Sequence, residues 1–256
     1  MRDARSPGAR HGDVPGSFVP GRRRTARVAA LGLAAALLLA PAARGAEGGR
    51  PAAIAPCPGA PLSVRGGDAD DVADACAGGV AAIAFLARFG LDVTTPITVD
   101  VVARMPEGVD PDAAGCFDTA SGRVLLLAHA DFLRSGLWMG RPIDRAMHRA
   151  IAAHEVGHAV AACHFAMPRP ARIATEYVAY VTMFETMDAG LRAHALATYP
   201  DAAPADDRMP GESDYADSPM RFGVRAWRHW VALPDPAAML QAILEGRVPS
   251  GAGRGP

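Results

Sequence analysis

One short stretch constrains this chain more than any other. His154-Glu155-Val156-Gly157-His158 sets two imidazoles and a carboxylate inside an Ala- and Val-rich segment otherwise suited to burial. Met147, Ile151, His154, His158 and Ala161 recur at three- and four-residue steps, which predicts a helix from Pro142 to about Phe165. Polar groups on such a helix are costly to bury unless they share a partner. Residues four apart lie one turn apart on one face, so His154 and His158 can reach a single metal ion. Zinc takes neutral imidazole nitrogens at roughly 2.0–2.1 Å and, in catalytic sites, keeps one position open for water. Glu155 projects about 100° round the helix from His154, where a carboxylate can take that water's proton. The stretch therefore predicts one zinc ion with His154 and His158 as ligands and Glu155 as general base.

A catalytic zinc usually has three protein ligands. The next predicted helix, from about Ala171 to Met187, carries Glu176, Tyr180, Met183 and Met187 along one face. Pro168 and Pro170 interrupt the chain between the helices and let the second turn back on the first. Glu176 is the preferred third ligand and Glu185 its competitor. At ~1.5 Å per residue the two stand about 13 Å apart, so only one can serve the same ion. Tyr180, Tyr215 and His229 are the candidates for steadying an oxyanion. His129, His148, His164 and His194 are assigned no catalytic role, and Trp227 and Trp230 are read as core or groove walls.

The formal charge of −1 conceals an asymmetry. Residues 1–44 hold eight arginines and two acids, and the remainder holds 18 basic against 25 acidic residues. An acidic body argues against nucleic acid as a partner, because phosphate binding needs a basic surface. Arg22, Arg23, Arg24 and Arg27 precede an apolar run of 13 residues, Val28 to Ala40, and small residues follow around Ala43-Arg44-Gly45. That pattern reads as a signal peptide over 1–45 and an exported chain, periplasmic or secreted. An uncleaved anchor is the alternative, although a span needs ~20 residues. No second apolar run is long enough to cross a membrane. Export makes disulfides the natural use of Cys57, Cys76, Cys116 and Cys163. The favoured pairing is Cys57–Cys76 with Cys116–Cys163, and free buried cysteines are the alternative. No CxxC spacing suggests a structural zinc site.

The remaining elements follow from periodicity and punctuation. Residues 46–69 are rich in Gly, Pro and Ala and read as a flexible arm. Asp70 to Phe89 is a predicted helix, in which Gly78-Gly79 marks either a weak point or a close approach. Pro96 to Val102 is a strand, and Gly115–Asp118 with Arg123–Ala128 form a hairpin. Leu191–Thr198, Arg221–Leu233 and Pro236–Glu245 are short helices, residues 200–220 a loop, and 249–256 a disordered tail. The order predicts an α+β domain over 70–248, with a small sheet beside the HExxH helix and a following helix that carries a Glu.

HExxH followed by Glu176-Tyr177-Val178-Ala179 resembles the gluzincin metallopeptidases, across roughly residues 70 to 190. The resemblance implies a minimal zincin-like fold and hydrolysis of peptide bonds. By it, His154, His158 and Glu176 would be the ligands and Glu155 the general base. Arg123–Ala128 would be the edge strand that pairs with substrate. Tyr180 stands where thermolysin-like members carry an acid. The chain is also similar to a group of small exported bacterial proteins with HExxH and Glu-Tyr-x-Ala-Tyr, which supplies no substrate. The competing expectations are a zinc amidase, an exported zinc-binding or interaction protein without turnover, and a structural protein with an accidental motif.

Overall fold

A computed structural model of the chain describes residues 53–202 and 208–248. The predicted signal segment and the predicted tail lie outside those residues. Two short strands, β1 (Ile54–Pro56) and β2 (Leu62–Arg65), pair antiparallel. Helix α1 (Ala69–Ala87) follows, and β3 (Ile97–Val102) returns parallel to β2. β4 (Gly115–Asp118) and β5 (Arg123–Leu127) form the predicted hairpin, with β5 parallel to β3. The sheet order is β1-β2-β3-β5-β4. A short helical turn, α2 (His129–Phe132), and a small hairpin of β6 (Leu137–Trp138) and β7 (Arg141–Pro142) lead into α3 (Arg145–Ala162). Five helices complete the domain: α4 (Arg172–Thr186), α5 (Ala189–Thr198), α6 (Glu212–Asp217), α7 (Pro219–Ala232) and α8 (Pro236–Leu244). The architecture is α+β, as predicted. Among the described residues no helix is long and apolar enough to cross a membrane.

Alternation along the strands decides the layers. Leu62, Val64, Ile97, Val99, Val124 and Leu126 are buried on one face of the sheet, which packs on α1 and α3. The other face carries the Asp100 carboxylate, held by Arg65 at 2.5 and 2.9 Å and by Arg123 at 2.6 and 2.9 Å. Burial would raise the Asp100 carboxyl, but the two guanidiniums outweigh it and keep the group below the usual carboxylate range. Helix α3 lies in the middle, between the sheet, α1 and α4, and every residue from Ala150 to Ala161 is buried.

The glycine pair in α1 marks a close approach. A Cβ at Gly78 would lie 2.2 Å from the Arg149 carbonyl oxygen of α3. Backbone cannot rotate aside as a side chain can, so the helices would have to separate. Gly78→Ala gains about 1 kcal/mol of helix propensity, while overpacking costs about 1–3 kcal/mol and occasionally more. We expect the clash to win and thermal unfolding to drop by several degrees. An unchanged or raised melting temperature would show that α1 is free to shift.

Several expectations need correction. The supposed arm at 46–69 contains β1 and β2 in its described part. Strands of three and four residues among Gly and Pro are too short to show a period. The Cys57–Cys76 disulfide forms and ties the turn after β1 to α1, but Cys116 and Cys163 form no disulfide with each other. Cys116 lies on the sheet face opposite Val124 and Leu126, and Cys163 follows α3 on the helical side, so the sheet separates them. Pro142 belongs to β7, not to the first helical turn. The helix starts later because Asp144 caps it, its Oδ1 accepting from the Met147 N–H at 3.0 Å. The predicted loop at 200–220 contains α6. At this end of the sheet the edge strand is β4, not β5, because β5 lies between β3 and β4.

Candidate metal centre

His154 and His158 leave α3 one turn apart, and α4 crosses this face of α3. That crossing brings Glu176 to the same point. The two Nε2 atoms are 3.1 Å apart, and Glu176 Oε2 lies 3.5 Å from His154 Nε2 and 3.7 Å from His158 Nε2. A tetrahedral zinc with ligands at roughly 2.0–2.1 Å keeps them about 3.4 Å apart. The point equidistant from these three atoms lies about 2.0 Å from each. The donor set therefore fits a zinc ion in number, chemistry and spacing.

Electrostatics suit the same role. Burial pushes His154 down to about 4, which favours the neutral imidazole, the form that binds metal. Burial opposes ionisation of Glu176, but the His158 charge and the hydrogen bonds from both histidines hold it well below the usual carboxylate range. Tyr215 of α6 donates a hydrogen bond to Glu176, and the Arg172 guanidinium lies 4.8 Å from the centre of its ring. An ion pair from Arg172 to Glu212 anchors the same helix.

Glu155 points from α3 toward the edge strand. A Cβ at Gly115 would come within 2.5 Å of Glu155 Cγ, so only glycine lets β4 lie this close. Both carboxylate oxygens are buried, with the Phe117 backbone N–H facing them. Burial, reinforced by the charge of Glu176, pushes the Glu155 carboxyl well up, and the nearby Phe117 amide offsets this only in part. The Glu155 carboxyl is thus buried one residue from His154, in surroundings that disfavour its ionised form.

The other predicted residues are distributed as follows. Glu185 accepts from Trp227 Nε1 at 2.9 Å and is not among the clustered ligand atoms. Tyr180 packs edge-on against His154 with 4.5 Å between ring centres, forming a wall behind that imidazole. His229 meets the Tyr177 hydroxyl at 2.6 Å. Tyr177 is about 100° round α4 from Glu176 and lines a small cavity with Phe85, Leu86 and Leu240. His148 bridges Leu127 O at 2.9 Å and Asp74 at 3.3 Å, a structural role.

Two features escaped the sequence. The first is the contact of β4 with Glu155. The second is a cleft of about 370 Å³ that opens at His158, lined by Phe117, Thr119, Ala162, Phe165 and Met167 among others. Met167, between two predicted helices, was the available signal, because an interhelical loop has no reason of its own to be apolar.

The model of a protein family described as "Family of unknown function (DUF6639)" matches residues 62–251. No curated protein and no solved structure matches the chain.

Proposed function

We propose that this chain, which belongs to the Family of unknown function (DUF6639), is an exported zinc-dependent hydrolase that cleaves peptide bonds. The observation that carries the reading is the triangle of His154, His158 and Glu176, whose centre is a zinc–ligand distance from each donor. When bound, zinc would polarise a carbonyl and acidify a water. Glu155 takes the proton of the attacking water and hands it to the leaving amine. Tyr215 holds the Glu176 carboxylate in its orientation, and Tyr180 fixes the His154 ring from behind. The open side of β4 offers backbone groups to an extended peptide. The gluzincin resemblance belongs to the same proposal, as does export, with which the Cys57–Cys76 bond is compatible. The proposed partner is a peptide or protein, not nucleic acid.

A zinc-binding protein without turnover is the second reading. It is favoured by enclosure: His154, Glu155 and Glu176 are 2% exposed or less, and only His158, at 7%, reaches the cleft. A zinc amidase would use the same groups on a different carbonyl. Metal analysis of the purified chain with digestion of a diverse peptide library separates these. One zinc per chain and cleavage that stops with chelator and returns with zinc are expected. Zinc without cleavage selects the second reading, and a chain without stoichiometric metal sinks both.

A further inference from the structure

Resting on the peptidase reading, we infer that the cleft beside His158 selects a bulky, uncharged, apolar side chain on the acyl side of the bond to be cut. The first ground is chemistry. Phe117, Thr119, Ala162, Phe165, Met167 and Pro168 line the cleft, and among the described residues His158 is the one ionisable side chain on its wall. A charged side chain entering it would lose its hydration and meet no opposite charge. An apolar one would exchange water for apolar surface. A volume of about 370 Å³ lies in the range of clefts that enclose small ligands.

The second ground is the register of β4, which gives a bound peptide a direction. Leu127 N–H donates to Ala114 O at 2.9 Å. Pairing in an antiparallel ladder alternates, so Cys116 with Leu125 and Asp118 with Arg123 are also hydrogen-bonded pairs. Gly115 and Phe117 therefore direct their N–H and C=O groups away from β5, to the open side of the sheet, where the Phe117 N–H also donates to Glu155. A peptide added there in the antiparallel sense, the more stable pairing, runs opposite to β4. Its N-terminal half lies toward Asp118 and Thr119, where the cleft is. Glu155 packs against Gly115 and lies near the Phe117 amide, so the reacting bond lies at the Gly115–Phe117 level. Thr119 is two residues further, about 7 Å along a strand. The cleft thus receives one of the two residues preceding the bond.

The test is a peptide library digested by the zinc-loaded full-length chain, with cut sites read by mass spectrometry. Phe, Leu, Met or Tyr should be enriched at one of the two positions before the cut, with Asp, Glu, Lys and Arg depleted there. Ala162→Trp, at the exposed end of α3, should narrow the cleft. The ratio of kcat/KM for a Phe peptide over its Ala counterpart should fall about tenfold or more. Ala166→Trp, on the loop, repeats the test if the first variant does not fold, with zinc content as the check on folding. Enrichment confined to the leaving side, or cleavage without preference, overturns the inference and leaves the peptidase reading standing. No cleavage of any peptide by the zinc-loaded chain overturns both.

Discussion

Glu155→Gln is expected to lower peptide cleavage by about a hundred- to ten-thousandfold while leaving zinc binding and folding intact. Glutamine has the same shape, so the packing of Gly115 against this side chain is preserved. It cannot accept the proton of the attacking water at any useful pH. Stability should not suffer. The carboxyl is buried, and burial together with the charge of Glu176 outweighs the Phe117 amide and already disfavours its ionised form. A neutral amide removes that repulsion. Three measurements on one variant decide the matter: zinc per chain, melting temperature, and kcat/KM on the best library peptide. Equal zinc with retained cleavage would remove Glu155 as the base. Lost zinc would mean that the substitution disturbed the ligands, and Glu155→Asp, which keeps the charge and withdraws the carboxylate by one methylene, would then be the informative variant. It should bind zinc and cleave poorly.

The centre was legible in the sequence because its chemistry is local. His154, Glu155 and His158 are set by helix geometry alone, and Glu176 needed only one further step, a turn at two prolines. What the sequence hid depends on contacts between distant segments. The edge role passed from β5 to β4 because parallel pairing of β5 with β3 spans more than twenty residues and leaves no mark on either strand. Cys163 looked able to bridge Cys116 by count and spacing, but faces of a sheet are not visible in spacing. Glu185 looked like a ligand because it is a carboxylate on the right helix, and only the fold of α7 shows Trp227 taking it. Gly78 was legible as a question, weak point or close approach, and the position of Arg149 answered it. The tyrosines divided in the same way. Tyr215 reaches Glu176 from α6, in a region that composition marked only as loop.

Glu176→Ala and Glu185→Ala should separate cleanly, and the contrast tests the ligand set rather than the fold. Losing Glu176 leaves two histidine ligands of three. Perturbing an outer-shell partner alone costs 10- to 100-fold in metal affinity by the usual range, so removing a ligand is expected to cost more than about a hundredfold. Zinc should be lost on dialysis. A ligand that binds only the folded state stabilises it by about 2.7 kcal/mol at a hundred times its dissociation constant. The parent chain should therefore melt higher when zinc is added, and the Glu176 variant should lose most of that rise. Glu185→Ala breaks the hydrogen bond from Trp227 Nε1, a partly buried contact worth about 1 kcal/mol. It should melt slightly lower without metal and keep the full rise with zinc. The two variants thus differ in the response to zinc rather than in the starting temperature, which removes general destabilisation as an explanation. A Glu185 variant that alone lost the zinc response would move the third ligand nine residues along α4 and discard the triangle on which the proposed chemistry rests.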